Sequence, residues 1–133
     1  MIDAGNAGRI VNNASIAGLS GSFAPLGYTP YSVTKAALIH MTKCAALEYI
    51  PENIRINAVA PSVVETPLVT SAVEAATDPL QLADLYRFNP MGLHHGTLLQ
   101  YSDVSGVISF LVGPDAKYIN GQTIAVDGGF TIQ

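Results

Sequence analysis

The chain has 133 residues, a formal net charge of −4 and one cysteine; 49% of it is hydrophobic and only 12% charged. That length suffices for one domain with a core, six scattered Lys and Arg residues make no nucleic-acid patch, and an intrachain disulfide is impossible. The charged share is about half the ~25% usual for soluble domains, which predicts faces covered by partners, and no apolar run approaches the ~20 residues of a membrane span.

Met1 to Gly8 lacks a charged stretch followed by an apolar core, so it does not read as a signal peptide and a cytoplasmic location is expected. It reads as the frayed end of a helix and a Gly-rich turn. Arg9 to Ser15 follows as a short strand with β-branched residues. Gly18 to Pro30, which includes Ser20 and Ser22, is a loop rich in Gly, Ser and Pro. A helix then spans Pro30 to Tyr49, with Thr29 as N-cap, Pro30 at the first helical position and Pro51 as the stop.

This helix is apolar nearly all round, so it should be buried on more than one side. One side can lie on a sheet and the other calls for a second helix, from this chain or a partner. Cys44 and His40 are expected to pack within it, Cys44 as a small buried hydrophobe. Ile54 to Ala60 is a second strand, ended by Pro61. Ser62 to Gly96 reads as irregular and weakly helical. Its apolar residues (Leu68, Val69, Leu80, Leu82, Leu85, Tyr86, Phe88, Met91) suit either core or a substrate lid. Ser102 to Val112 is an amphipathic helix capped by Ser102, with Asp103 in its first turn. Gln122 to Asp127 is a third strand, and Asp127 is expected to cap or pair near the C-terminus. Strand, helix, strand, helix, strand predicts an α/β fold with a parallel sheet and right-handed crossovers.

Tyr31 and Lys35 sit four residues apart, hence on one helix face. A nearby cation favours the phenolate, which makes a phenol a useful general acid or base. Alone, that spacing arises by chance in many helices. Ser15 at the end of the first strand, the start of the helix, and Pro61 to Thr66 at the end of the second strand all fall on one sheet edge, where open α/β sheets bind ligands. His94-His95 lacks further ligands at metal-binding spacing, so no metal site is expected. The absence of a Gly-x-Ser-x-Gly elbow disfavours a serine hydrolase.

Several phrases, in order, span nearly the whole chain: Gly8-Arg9-Ile10-Val11-Asn12 leading to Ser15-Ile16-Ala17-Gly18; Tyr31-Ser32-Val33-Thr34-Lys35; Ile54-Arg55-Ile56-Asn57-Ala58-Val59-Ala60-Pro61 with Glu65-Thr66-Pro67; and Tyr118-Ile119-Asn120-Gly121 through Asp127-Gly128-Gly129. In these the chain resembles the short-chain dehydrogenase/reductase family, over its C-terminal half only. The resemblance implies the C-terminal half of a Rossmann-like, doubly wound parallel sheet, with about three strands and flanking helices, in one partial domain over residues 1–133. It implies NAD(P)-dependent interconversion of a secondary alcohol and a ketone, with NAD or NADP as cofactor and a small apolar substrate.

It also implies roles. Tyr31 would be the general acid/base, Lys35 would favour its ionised form, and Ser15 would hold the substrate oxygen. Tyr31 and Lys35 would also contact the cofactor, Lys35 through the nicotinamide ribose. Pro61, Ser62, Val63 and Val64 would face the carboxamide, Val64 foremost, and Thr66 would hold the carboxamide or the phosphates. Ser62 stands where the family usually has glycine, which could perturb the backbone there; Leu93 stands where a basic residue often follows Pro-Met-Gly. The family's Gly-rich phosphate turn, its cofactor-selecting residue and its active-site asparagine have no counterpart here. The alternative is therefore a truncated noncatalytic fragment, or a structural half that associates with a partner chain. The isolated chain is expected not to be catalytically competent, to expose the edge of its first strand, and to form homo-oligomers through the Pro30–Tyr49 helix.

Overall fold

The computed structural model describes residues 1–21, 28–75 and 85–133. Ser22, Leu80 and Leu82 lie outside the described residues. Strands β1 (Gly8–Asn13), β2 (Ile54–Pro61) and β3 (Thr123–Val126) form one parallel sheet in that spatial order. Helix α1 (Thr29–Glu48) joins β1 to β2, and α2 (Pro67–Ala75), α3 (Pro90–His95) and α4 (Tyr101–Val112) precede β3. The chain is α/β, with an open Rossmann-like sheet flanked by helices.

Every residue of the central strand β2 is buried. Because side chains alternate along a strand, Ile54, Ile56 and Ala58 turn to α1, where they meet Ala46 and Ile39. Val59 turns the other way, against Val104 and Leu111 of α4. Two buried asparagine-centred junctions tie the layers together. Asn120 donates to the Ala46 carbonyl at 2.8 Å and accepts the Ile56 N–H at 2.9 Å. Asn57 donates to the Ile119 carbonyl at 2.9 Å and accepts the Gln122 N–H at 3.0 Å. These bonds serve β2 just where β3 has not yet begun to pair with it.

Several expectations need correction. Helix α1 begins at Thr29, so the N-cap is Tyr28, and neither end depends on a side-chain cap. Helix α4 begins at Tyr101 and its N-cap is Gln100, whose N–H donates to the Asp103 carboxylate at 2.7 Å; Ser102 is already inside the helix. The 62–96 segment is more regular than its composition predicted, because Thr66 and Asn89 supply side-chain oxygens to the first turns of α2 and α3. Cys44 and His40 are exposed rather than packed. They lie on the side of α1 turned away from the sheet, where nothing in the chain covers them. The outer edge of β1 likewise carries no strand among the described residues, and no described helix is long and apolar enough to cross a membrane.

Candidate active site

The first wall of the site is built where β1 meets α1. Strand β1 ends at Asn13; Ser15 then opens a single 3-10 turn, Ile16–Gly18, and its Oγ accepts the Ala17 N–H at 3.2 Å. Accepting that bond leaves the hydroxyl hydrogen available to donate outward. Tyr31 lies in the first turn of α1 and Lys35 one turn later. The Lys35 ammonium donates to the Asn13 carbonyl at 2.9 Å and stands 5.5 Å from the centre of the Tyr31 ring. One cation thus fastens the start of α1 to the end of β1 while lying over the phenol.

Gly18 makes this approach possible. A Cβ on it would stand 2.6 Å from the Lys35 carbonyl carbon and 2.7 Å from the Ala36 nitrogen. The Ser15 turn therefore touches the α1 backbone directly at Lys35. The motif phrase contained this glycine, but only the close crossing gives it a function. Tyr28 is a residue that sequence reasoning missed: its ring packs edge-on against Tyr31, with centroids 5.9 Å apart.

The second wall follows β2. The Ser62 N–H donates to Val126 O at 3.0 Å, and the Ser62 hydroxyl donates to the Phe88 carbonyl. Ser62 does not have positive φ; among the described residues only Asn53 does so without being glycine. The serine is thus accommodated without left-handed backbone. Val64 bridges to Leu99, the Glu65 N–H donates to Leu99 O at 2.8 Å, and Thr66 Oγ1 accepts the Val69 N–H at 3.3 Å. Behind this wall Asp127 closes a turn. Burial pushes its carboxyl pKa up, but bonds from the Thr131 hydroxyl (2.7 Å), the Thr131 N–H (2.9 Å) and the Gly129 N–H (3.0 Å) outweigh burial and hold it below the ordinary value.

A cleft of about 580 Å³ brings the sequence-selected residues to one surface, with Ser15, Tyr31 and Lys35 on one side and Pro61, Ser62, Val63, Val64 and Thr66 on the other. Tyr28, Leu68, Val69 and Leu85 add an apolar rim. Of the residues suited to core or lid, Phe88 instead packs edge-on against Phe130. The polar groups at hand are one ammonium, hydroxyls and backbone amides. That set fits the carboxamide and ribose hydroxyls of a nicotinamide nucleotide, but lacks the Gly-rich turn that would cradle a diphosphate. His94 and His95 sit away from this surface, packed edge-on at the end of α3.

A family model described as enoyl-(acyl carrier protein) reductase matches residues 1–131. The chain belongs to the short-chain dehydrogenase/reductase family. Within that family, the (S)-acetoin-forming diacetyl reductase of Staphylococcus aureus is 38% identical over 124 residues, covering 92% of this chain and 47% of the relative. Cyclohexanol dehydrogenase of an Acinetobacter strain is 38% identical over 128 residues, covering 96% and 45%. Among solved structures, ElxO with NADP bound superposes with a TM-score of 0.83 at 34% identity, over 100% of this chain and 50% of that one. A 4-hydroxyisoleucine dehydrogenase complexed with NADH gives 0.84 at 28% identity, over 98% and 50%. The chain spans about half the length of the curated relatives it matches.

Proposed function

We propose that the chain carries the catalytic side of an NAD(P)-dependent oxidoreductase that interconverts a secondary alcohol and a ketone. The observation behind this reading is the single cleft shared by Ser15, Tyr31, Lys35 and the 61–66 turn. The bound nicotinamide supplies the hydride acceptor or donor. Tyr31 gives its phenolic proton to the ketone oxygen during reduction and takes it back during oxidation. The Ser15 hydroxyl donates a second hydrogen bond to that oxygen, so negative charge developing there meets two preplaced donors. Lys35 steadies charge on the Tyr31 oxygen and binds the ribose hydroxyls. The backbone of Pro61 to Val64 meets the carboxamide, chiefly at Val64, and Thr66 holds the carboxamide or the phosphates. The apolar rim selects a small apolar substrate, in keeping with relatives named for diacetyl and cyclohexanol.

The exposed apolar side of α1 and the open edge of β1 favour an accompanying reading. The chain acts in an assembly, with copies joined through α1 and the phosphate-binding turn supplied by other sequence. Alone, it binds NAD(H) or NADP(H) weakly or not at all; calorimetric affinity in the micromolar range for the 133-residue chain would overturn that. In the competent assembly, Tyr31→Phe lowers turnover about a thousandfold while cofactor affinity holds within about twofold. Turnover that survives the substitution refutes the acid/base role.

A further inference from the structure

Away from the cleft, at the N-terminal ends of the strands, Arg9 of β1 and Arg55 of β2 are register partners. Neighbouring strands run about 4.8 Å apart and register partners face the same way, so two guanidinium groups stand side by side on the α4 face. Arg55 is only 8% exposed. Its Nη atoms donate to the carbonyls of Ile119 (3.0 Å) and Gly113 (3.2 Å), and its buried Nε has no acceptor. Gly113 follows the last turn of α4, so the negative end of that helix offsets part of the charge. Arg9 is exposed on the edge strand and donates only to the carbonyls of Gly8 and Asn53.

Among the described residues, neither guanidinium meets a carboxylate. A buried cation beside a like charge, with only carbonyls to answer it, is a costly arrangement that an acidic side chain would relieve. Burial and the Arg9 charge both push the Arg55 pKa down, as that strain requires. The net charge of −4 offers no general pull on anions, so any attraction here is local to the pair. Arg9 also sits on the strand whose outer edge is unpaired, beside the place where a side chain of an adjoining strand would stand.

We propose that Arg9 and Arg55 form a docking point for the carboxylate of an acidic residue on a polypeptide strand that adds to the free edge of β1. The occupant is a polypeptide, because backbone pairing along β1 and charge pairing at Arg9 are available to one extended segment at once. This site is independent of the cleft chemistry, so it stands or falls without it.

The test uses the 133-residue chain and three probes: two extended hexapeptides alternating Val and Thr, one with a central Asp and the other with Asn in its place, and sodium acetate. Calorimetry should give the Asp peptide about tenfold higher affinity than the Asn peptide. In Arg9→Gln, an exposed substitution that spares the core, the advantage should fall below about twofold, and Arg9→Lys should restore part of it. Equal affinities, no binding of either peptide, or an Asp advantage that survives Arg9→Gln would overturn the proposal. Acetate binding as tightly as the Asp peptide would likewise overturn it, by reducing the pair to a site for any small anion.

Discussion

Helix α1 has two sides of similar composition in opposite surroundings. Ile39, Thr42 and Ala46 are buried against the sheet, whereas Val33, Met41 and Leu47 are 61%, 52% and 71% exposed. Hydrophobicity did not choose between the sides. Shape and one polar bond did: Ala46 fits against Ile54 and Ile56, and Thr42 accepts from Asn12 at 2.9 Å while donating to Leu38 O at 2.8 Å. The packed side fixes where Tyr31 and Lys35 stand. The bare side contributes nothing to that geometry, and its composition is that of a surface awaiting cover.

The comparison breaks most readily at the packed side. Gly18→Ala places a methyl within 2.6 Å of the α1 backbone, which cannot move as a flexible side chain could. It should cost about 1–3 kcal/mol of stability and, by shifting Ser15 against Tyr31, lower turnover of the assembly by about a hundredfold. Unchanged kinetics would mean that Gly18 does not set the spacing. Ile39→Ala, deeper on the same side, should cost about 2–4 kcal/mol in chemical denaturation without a preferential loss of turnover in the surviving folded fraction. Leu47→Ala on the bare side should cost the chain far less; equal costs would erase the distinction between the sides.

A smaller effect separates packed from bare through pH. Hydrogen bonds hold the Asp127 carboxyl below its ordinary value, so its folded pKa is depressed relative to an unfolded value near 3.9. Its contribution is complete above about pH 4 and is lost as pH falls through the folded pKa. Asp127→Asn should therefore cost about 1–2 kcal/mol at neutral pH, and the gap from the unsubstituted chain should close in acid. Denaturation curves showing the same gap at about pH 6 and about pH 3 would contradict the assignment.

Much of this was legible in the sequence because it is local. Strand lengths, the Pro61 boundary and the order of elements follow from β-branched runs and breakers. Convergence of Ser15, Tyr31 and Lys35 follows from parallel topology, which places strand ends on one edge. What escaped depends on contacts between segments. Neither Tyr28 against Tyr31 nor the Asn57 and Asn120 junctions have a periodic signature. Thr29 and Ser102 are good capping residues by type, yet each helix begins one residue earlier than they require, because Pro30 is tolerated in the second position as well as the first and Asp103 bonds back to Gln100. Cys44 illustrates another limit. Its apolar neighbours were correctly taken to need cover, but within the chain the sheet covers only the other side of the helix.

That limit supplies the weakest expected effect on folding and a decisive one on assembly. Leu47→Glu exchanges an exposed apolar side chain for a charge on the bare side, so the fold's stability should change by no more than about 0.5 kcal/mol. If α1 joins copies of the chain, the same substitution buries an unpaired carboxylate in the interface and should drive sedimentation toward the monomer. Cys44 lies on the same side and reports the event chemically. Its alkylation should be slow in the associated chain and fast in Leu47→Glu, at equal unfolding midpoints. A chain that sediments as a stable monomer before any substitution, with Cys44 reacting freely, would show that the bare side of α1 is ordinary surface and not an interface.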